Sequence, residues 1–370
     1  MNIIESVDTP ALLIDSARVR RNIAAMQKKA DQAGVHLRPH AKAHRTPALA
    51  AMQMAAGASG ITVATIGEAE GMQDAGLDDI FIAGSIAGEE KIRRLRGLAA
   101  RGAIRVGVDS EEQIAAISAA FADAPAPLDL LIEIETGMMR TGVLSAEEAV
   151  SLAHAVSQRP GVRLSGVYSH EGHCYGADSA ASCRELSEKS QRDTLAAANH
   201  IRLAGIAVAT VSIGSTPSLL LGGIIPGVTE IRPGAYILMD ASLGAAVGSF
   251  DSCAASVLAT VTSKRAPSRV VLNAGAKALT AVLRHGGICA TPGFGIVLRD
   301  GVPLGHLSRL YDEQGILENE EAFALLSPGD TVRILPNHIC TCSNLYDSLT
   351  ITENDELVDD YPVSCRGKSQ

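Results

Sequence analysis

A short basic segment, Arg38-Pro39-His40-Ala41-Lys42-Ala43-His44, contains the residue with the clearest chemical use. Apolar residues precede this segment and predict a strand, while Thr46 and Pro47 predict the start of a helix. Lys42 is therefore expected on a loop at the carboxyl end of a strand. Its amine could form a Schiff base with a carbonyl compound if nearby cations lower its pKa. The alternative interpretation is an ordinary solvated basic loop.

A second segment, Gly214-Ser215-Thr216, suits a phosphate group. Small side chains, free backbone N–H groups and two hydroxyls at the start of a predicted helix are typical of phosphate sites. An ordinary helix N-cap is the alternative. Taken together with Lys42, the segment indicates a phosphorylated aldehyde that is bonded to lysine at one end and held at the other, which describes pyridoxal phosphate.

A third pattern, His338-Ile339-Cys340, offers two metal ligands. On an extended segment, residues two positions apart point to the same face. Imidazole and thiolate groups are good zinc ligands, although a His-x-Cys spacing alone is a weak signal.

The elements that must position these residues alternate between strand and helix. Short apolar strands are predicted at residues 35–38, 61–64, 80–83, 104–108, 128–134, 164–168, 208–213 and 230–232, with alanine-rich helices between them. Eight such units predict a (β/α)8 barrel, and a doubly wound open sheet is the alternative. The candidate residues follow predicted strands, and barrel chemistry belongs at the carboxyl ends of the strands.

The alternation stops after Tyr236, and the remaining chain predicts a mostly antiparallel β domain. The predicted barrel spans residues 16–240. Residues 1–15 and 241–370 are assigned to the β domain, which carries His338 and Cys340.

Composition limits the class of protein. The chain has 370 residues, a hydrophobic fraction of 46 % and a net charge of −9, which argues against a nucleic-acid partner. We find neither a signal peptide nor an apolar run long enough to cross a membrane. The seven cysteines do not form a dense disulfide framework, so we expect a cytoplasmic location.

The motifs resemble one family when they are taken in order. Pro39-His40-Ala41-Lys42, the segment from Gly137 to Gly142, Gly214-Ser215-Thr216 and the segment from Arg232 to Tyr236 are similar to those of the alanine-racemase-like, fold type III pyridoxal-phosphate enzymes. The similarity is greatest to the D-serine dehydratase and D-threonine aldolase group, and it covers nearly the whole chain.

The resemblance implies a homodimer and a set of cofactor contacts. It implies that Lys42 is the Schiff-base lysine and that Arg140 lies near the cofactor ring or the loop after the first strand. Tyr168 could pack against the ring; a half-buried barrel tyrosine is the alternative. The residues implied around the phosphate are Gly214, Ser215, Thr216, Gly234 and Tyr236.

The resemblance also strengthens the metal assignment, because this group carries a metal pair at the position of His338 and Cys340. A bound zinc, or alternatively manganese or magnesium, would act as a Lewis acid on a substrate hydroxyl. Cys342 is not expected to be a ligand. His173 is the expected additional acid–base residue, and a loop histidine without a catalytic role is the alternative.

These features together predict a lyase that acts on a 3-hydroxy-D-amino acid. Dehydration of D-serine, D-threonine or 3-hydroxy-D-aspartate would give a 2-oxo acid and ammonia. Retro-aldol cleavage to glycine and an aldehyde is the alternative. The resembling dehydratases tend to have His-x-Cys and the aldolases His-x-Asp, so Cys340 favours dehydration. An amino-acid racemase and a non-catalytic pyridoxal-phosphate-binding protein are weaker alternatives, because neither needs the metal pair.

Overall fold

The computed structural model describes residues 7–370, which divide into two compact units. The barrel unit comprises residues 26–42, 47–234 and 367–370. The β unit comprises the described residues up to 25 together with 43–46 and 235–366.

The barrel unit is built on eight parallel strands. The first strand of the chain, β1 (Ala11–Asp15), belongs to the β unit, and the next eight strands form the parallel sheet. They are β2 (His36–Leu37), β3 (Ile61–Val63), β4 (Asp79–Ile82), β5 (Ala103–Val108), β6 (Leu128–Ile134), β7 (Val162–Ser169), β8 (Thr210–Ile213) and β9 (Glu230–Ile231). Their order in the sheet is β2-β9-β8-β7-β6-β5-β4-β3.

The two end strands of this sheet, β2 and β3, meet through residues that follow β2. His40 and Thr62 form a parallel bridge, and the Thr62 N–H donates to the Pro39 carbonyl at 2.7 Å. The sheet therefore curls into a TIM-like barrel, which confirms the predicted fold class and excludes the open sheet.

Helices alternate with these strands. They are α1 (Ser16–Ala33), α2 (Pro47–Ala55), α3 (Ile66–Asp74), α4 (Glu89–Ala99), α5 (Glu111–Phe121), α6 (Ala146–Ser157), α7 (Ala180–Leu203) and α8 (Thr216–Leu221). Serine N-caps define several helix starts, because the side chains of Ser110, Ser145 and Ser179 each accept an N–H from the first turn. Apolar side chains of the strands are buried, as parallel sheets require.

A buried ion-pair network ties three barrel strands together. Arg38 follows β2 and is only 2 % exposed. Its guanidinium lies 2.7 Å from Glu230 at the start of β9 and 2.7 Å from Asp79 at the start of β4. A buried arginine requires such partners, because an unpaired charge would be strongly destabilising.

The β unit is mostly antiparallel, as predicted. After β1 its strands are β10 (Ala255–Arg265), β11 (Arg269–Leu272), β12 (Ile296–Arg299), β13 (Val302–Leu310), β14 (Gly315–Glu318), β15 (Thr331–Leu335), β16 (Ser348–Glu353) and β17 (Glu356–Pro362). Pairing of β10 with both β11 and β15 closes a six-stranded barrel with β12, β13 and β14. Its short helices are α9 (Ala241–Val247), α10 (Ala276–Leu279), α11 (Glu320–Leu325) and α12 (Ile339–Cys342). Among the described residues, no helix is long and apolar enough to cross a membrane.

Candidate active site

Lys42 lies at the carboxyl end of β2, as its sequence position predicts. It occupies a 3-10 turn, Ala41–Ala43, and its backbone N–H donates to His40 Nδ1 at 3.4 Å. The side chain is partly buried. Its positive charge acts on His170, which follows β7, so the two residues belong to one cluster at the carboxyl ends of the strands.

His170 is held as a neutral imidazole within this cluster. Its Nδ1 atom lies 3.0 Å from the Gly214 carbonyl oxygen. Burial and, next in size, the positive charge of Lys42 together lower the pKa of His170 to about 3. The neutral ring therefore donates through Nδ1–H to Gly214 and leaves Nε2 as an acceptor.

The predicted phosphate turn, Gly214-Ser215-Thr216, leads into helix α8. Ser215 is the N-cap residue, and it forms a reciprocal capping box with Ser218. The backbone N–H and hydroxyl of Ser215 are therefore already engaged in hydrogen bonds. Thr216 differs, because its hydroxyl is buried and has no hydrogen-bond partner within residues 7–370. A buried hydroxyl of this kind suits a bound acceptor such as phosphate.

Gly214 allows the turn to approach β9 closely. Its φ angle is +140°, and a Cβ atom at this position would lie only 2.9 Å from the Arg232 backbone nitrogen. A larger residue would therefore push the phosphate turn away from the end of β9.

Tyr168 is a buried barrel residue whose hydroxyl donates to Glu133 at 2.8 Å. Its ring meets Phe81 edge to face at a centroid distance of 5.0 Å. The Arg232 guanidinium lies 5.1 Å from the Tyr168 centroid, at cation–π distance. Burial and the charge of Glu133 raise the pKa of Tyr168 well above its usual range, so the phenol stays protonated.

Arg140 lies on an exposed turn after β6. Its guanidinium is 3.7 Å from Glu133, while Glu135 accepts the backbone N–H groups of Gly137 and Arg140. Burial raises the pKa of Glu135, but the hydrogen bonds from backbone N–H groups outweigh it and lower this pKa overall. The same hydrogen bonds hold the turn in place around the Glu135 carboxylate.

His173 lies in the 3-10 turn Gly172–Gly176, and its ring packs against Gly137. Its Nε2 atom is 3.3 Å from the Ser190 hydroxyl, and its buried Nδ1 has no partner in the described part of the chain. Burial lowers the pKa of His173. The Nδ1 atom of His173 is therefore not committed to the described part of the protein.

Gly234 and Tyr236 are the two remaining predicted phosphate contacts. Gly234 is the last residue of the barrel unit before residue 367, and it is partly buried. Tyr236 lies in the 3-10 turn Ala235–Ile237 of the β unit and is 2 % exposed.

The predicted metal pair lies in the β unit on a bent segment. His338 is the N-cap residue of α12, and Cys340 lies in the first turn of that helix. The prediction of an extended segment is therefore wrong, because the chain turns into a helix immediately after His338. Cys342 is buried, its thiol lies 3.3 Å from the Ala278 carbonyl oxygen, and burial raises its pKa strongly.

The first residues of helix α9 and its N-cap fix the backbone of the segment that contains His338 and Cys340. Asp240 caps α9 and also accepts the Ile339 N–H at 3.0 Å, while the Ser242 hydroxyl donates to the Asn337 carbonyl at 2.7 Å. Burial raises the pKa of Asp240 to about 6. The backbone on both sides of His338 is thus fixed from α9.

An arginine contacts the first ligand of the pair. Arg284 Nη2 lies 2.7 Å from His338 Nδ1. Among residues 7–370 there is no cluster of three or more His, Cys, Asp or Glu side chains suited to a metal. Two protein ligands would leave coordination positions for water and substrate, which is typical of a catalytic rather than a structural metal. In donor chemistry, an imidazole and a thiolate suit a zinc ion.

Sequence reasoning did not identify Arg284, Asp240 or Glu171 as parts of these sites. Arg284 and Asp240 lie 54 and 98 positions before His338, and no spacing pattern connects them to it. Glu171 is visible only as part of the Ser169–His173 loop.

Comparison with known proteins places the chain among pyridoxal-phosphate enzymes. The family described as "Alanine racemase, N-terminal domain" matches residues 14–242, and "Putative serine dehydratase domain" matches residues 254–352. The D-threonine aldolase of Arthrobacter sp. is 33 % identical over 369 residues, which cover 98 % of this chain and 94 % of the relative. The D-threo-3-hydroxyaspartate dehydratase of Delftia sp. (strain HT23) is 37 % identical over 351 residues, covering 90 % and 91 %.

Solved structures agree with this assignment. The Delftia dehydratase superposes with a TM-score of 0.90 at 31 % identity, covering 98 % of this chain and 99 % of that one. The alanine racemase of Bacillus anthracis superposes with a TM-score of 0.69 over 96 % of this chain and 98 % of its own, but its 14 % identity supports the fold alone.

The fold and the matches define a class: this is a pyridoxal-phosphate-dependent lyase. More particularly, the chain belongs to the alanine racemase N-terminal domain family, and its second half matches the putative serine dehydratase domain. Dehydratases and aldolases of hydroxylated D-amino acids are its relatives.

Proposed function

We propose that the protein dehydrates a 3-hydroxy-D-amino acid to a 2-oxo acid and ammonia, with pyridoxal phosphate and a divalent metal. The observation that carries this proposal is the His338–Cys340 pair on the α9-supported segment. A dehydratase must assist the departure of hydroxide, and a Lewis acid on the 3-hydroxyl group supplies that assistance.

A relative supports the metal assignment. Two variants of a D-threo-3-hydroxyaspartate dehydratase have been solved, one with a His→Ala change and one with a Cys→Ala change two positions later, the latter in a metal-free form. The spacing is the same as that of His338 and Cys340. Zinc is the metal that an imidazole and a thiolate favour, with manganese or magnesium as alternatives.

The barrel unit fits the cofactor. Lys42 offers an amine at a strand end, and the buried Thr216 hydroxyl offers an otherwise unused hydrogen-bonding group to a phosphate. Gly214, Ser215 and Gly234 would line the phosphate, with Tyr236 as a further contact. When bound, pyridoxal phosphate makes the α-proton of an amino acid acidic by delocalising the resulting electron pair.

The chain's own residues would then move the protons. The Lys42 amine would be the simplest base for the α-proton. His173 is proposed as the additional acid–base group, because its Nδ1 is not committed to the protein. His170 is a poor proton acceptor near neutral pH, and it orients the phosphate turn through Gly214 instead. Arg140 and Tyr168 are proposed to border the cofactor ring.

The D-threonine-aldolase reaction is a second candidate, because the Arthrobacter aldolase matches the chain over almost its full length. In that reaction a base takes the hydroxyl proton and the Cα–Cβ bond breaks. Cys340, where the resembling aldolases tend to have aspartate, favours dehydration.

One substrate separates the two reactions. The protein is incubated with pyridoxal phosphate, zinc or manganese, and D-threonine. Ammonia with 2-oxobutanoate would support dehydration, whereas glycine with acetaldehyde would support cleavage. If neither product forms, 3-hydroxy-D-aspartate is tested next, and inactivity on D-serine as well would contradict the proposal.

The metal assignment is tested separately. Cys340→Ala should abolish lyase activity while the cofactor stays bound, and Cys365→Ala in the same unit is the control. Full turnover by Cys340→Ala would show that the metal assignment is wrong. A homodimer and a cytoplasmic location stay predictions from the resemblance and the cysteine content, and the dimer can be checked by light scattering.

A further inference from the structure

Glu171 is a buried carboxyl group that the proposed reaction does not use. It follows β7 directly and has no exposed surface. One of its carboxyl oxygens lies 3.2 Å from the Ser169 hydroxyl, and the other lies 3.3 Å from the Ser218 hydroxyl. Both contacts connect it to residues of the barrel unit near the phosphate turn.

Ser218 links Glu171 to that turn. Its hydroxyl lies 3.0 Å from the Ser215 hydroxyl and accepts the Ser215 backbone N–H at 3.1 Å. The Ser218 backbone N–H donates to the Ser215 hydroxyl at 3.4 Å, which completes the capping box. Whatever orients the Ser218 hydroxyl therefore orients the residue that precedes Thr216.

The hydrogen bonds of this cluster accommodate an uncharged Glu171. The Ser218 hydroxyl has one proton, and both the Ser215 carbonyl oxygen at 2.9 Å and the Glu171 carboxyl group are within reach of it. A protonated Glu171 can donate to the Ser218 oxygen, which also accepts the Ser215 N–H, while the Ser218 hydroxyl donates to the Ser215 carbonyl; the Ser215 hydroxyl then donates elsewhere than to Ser218. An ionised Glu171 would instead draw the Ser218 proton away from the Ser215 carbonyl.

The charges around Glu171 agree with this arrangement. Burial raises the pKa of Glu171 to about 7, although the positive charge of Arg232 lowers it. His170, its neighbour in the chain, stays neutral. Arg232 donates to Ser212 at 2.6 Å and to the Ser169 carbonyl at 2.6 Å, so one donor on each of its terminal nitrogens is engaged away from Glu171.

We propose that Glu171 is a positioning residue for the cofactor phosphate and that it holds the Ser218–Ser215 capping box as a neutral carboxyl group. This inference rests on the proposed function, because it places the phosphate at residues 214–216. It assigns Glu171 no contact with substrate or with the reacting atoms.

Cofactor affinity should therefore depend on pH. A carboxyl group with a raised pKa is neutral below that pKa and ionised above it. Above about pH 7, a negative charge appears beneath the phosphate turn and repels the phosphate. Glu171→Gln keeps the shape and a donor group but cannot ionise.

The experiment measures pyridoxal-phosphate binding by cofactor-free wild type, Glu171→Gln and Glu171→Ala from about pH 6 to about pH 8.5, using cofactor absorbance. At the lower pH, we expect wild type and Glu171→Gln to bind the cofactor with the same affinity. At the higher pH, we expect Glu171→Gln to bind about tenfold more tightly than wild type, which corresponds to a rise of about one unit in the pKa of Glu171 when the phosphate binds. Glu171→Ala should bind more weakly at both pH values. The ionisation of the cofactor phosphate itself is common to all three proteins and cancels in the comparison.

If wild type binds the cofactor tightly and its affinity changes with pH in the same way as that of Glu171→Gln, the inference about Glu171 is wrong but the proposed function stands. Absence of cofactor binding by wild type at every pH would overturn the proposed function as well. If Glu171→Gln does not fold, the carboxyl carbon of Glu171 can be titrated by NMR in the wild type with and without inorganic phosphate. Phosphate should raise its titration midpoint, and an unchanged midpoint with bound phosphate would contradict the inference.

Discussion

Arg284 should oppose metal binding to the His338–Cys340 pair. An arginine side chain is a donor only, so its 2.7 Å contact with His338 Nδ1 makes that nitrogen an acceptor. A metal bound at Nδ1 needs the same lone pair. A metal bound at Nε2 requires a proton on Nδ1, which an arginine donor would oppose. In either case Arg284 must withdraw before the neutral imidazole of His338 can bind a metal.

The size of the effect follows from this contact. A hydrogen bond that involves a charged group contributes about 1.5–3 kcal/mol when it is well formed. Arg284 and His338 are both partly exposed, so the lower half of that range applies. Removing a contact worth about 1.5–2 kcal/mol should tighten metal binding about 10- to 30-fold. Repulsion between the guanidinium and the metal acts in the same direction.

Zinc affinity of the cofactor-free protein can be measured by competition with a chromophoric chelator. Arg284→Met should bind zinc more tightly than wild type, and Arg284→Lys should lie between them, because it keeps the charge without the planar fork. Arg309→Met, which changes an exposed arginine of the same unit, is the matched control. Adding Cys340→Ala to each protein shows that the measured zinc occupies the pair. Equal or weaker zinc binding by Arg284→Met would refute the reasoning.

Three further outcomes are expected. Arg38→Met should lower the free energy of unfolding by about 3–5 kcal/mol in denaturant titrations, because it removes the nearest cation from the buried Glu230 carboxylate and leaves Arg105 at 3.8 Å. Arg163→Met on the exposed surface should cost less than about 1 kcal/mol. Similar losses for the two variants would contradict the role of burial. Lys42→Ala should prevent borohydride from fixing pyridoxal phosphate to the protein, and fixation at another lysine would show that Lys42 is wrongly assigned. The pKa of Glu171 is higher in the folded than in the unfolded state, so the native state binds this proton more tightly. The free energy of unfolding of the cofactor-free protein should therefore fall by about 3 kcal/mol as the pH rises from about 4 to about 7. Glu171→Gln should remove that part of the pH dependence, and an unchanged profile would count against it.

The barrel could be predicted because its signals are local. The strands are short apolar runs, and several of the helices that follow them begin with a recognisable cap, such as Ser145 before α6. The eight predicted strands each fall within a few residues of the observed ones. The β unit was harder to predict. Strand β13 carries polar residues on an exposed face, and the short strand β14 depends on pairing with β11 and β13.

The individual site residues were predictable where chemistry and position coincide, as for Lys42 at a strand end. The segment at His338 was predicted as extended, yet Cys340 lies in a helical turn. The deciding contacts are the Asp240 carboxylate on the Ile339 N–H and the Ser242 hydroxyl on the Asn337 carbonyl. These contacts join residues that are almost 100 positions apart, and a local pattern contains no information about them.

The two loop histidines show how such contacts divide the chemical roles. The sequence favours His173 as the acid–base residue, but both histidines follow the same strand and the sequence does not show how their surroundings differ. The Gly214 carbonyl fixes one nitrogen of His170, and Lys42 adds a positive charge beside an already buried ring, so its pKa falls to about 3. His173 experiences the negative charge of Glu135, which partly offsets the effect of burial on its pKa. A proton acceptor near neutral pH needs a pKa close to the working pH. This difference in surroundings, and not the residue type, makes His173 the better candidate for proton transfer and leaves His170 to orient the phosphate turn.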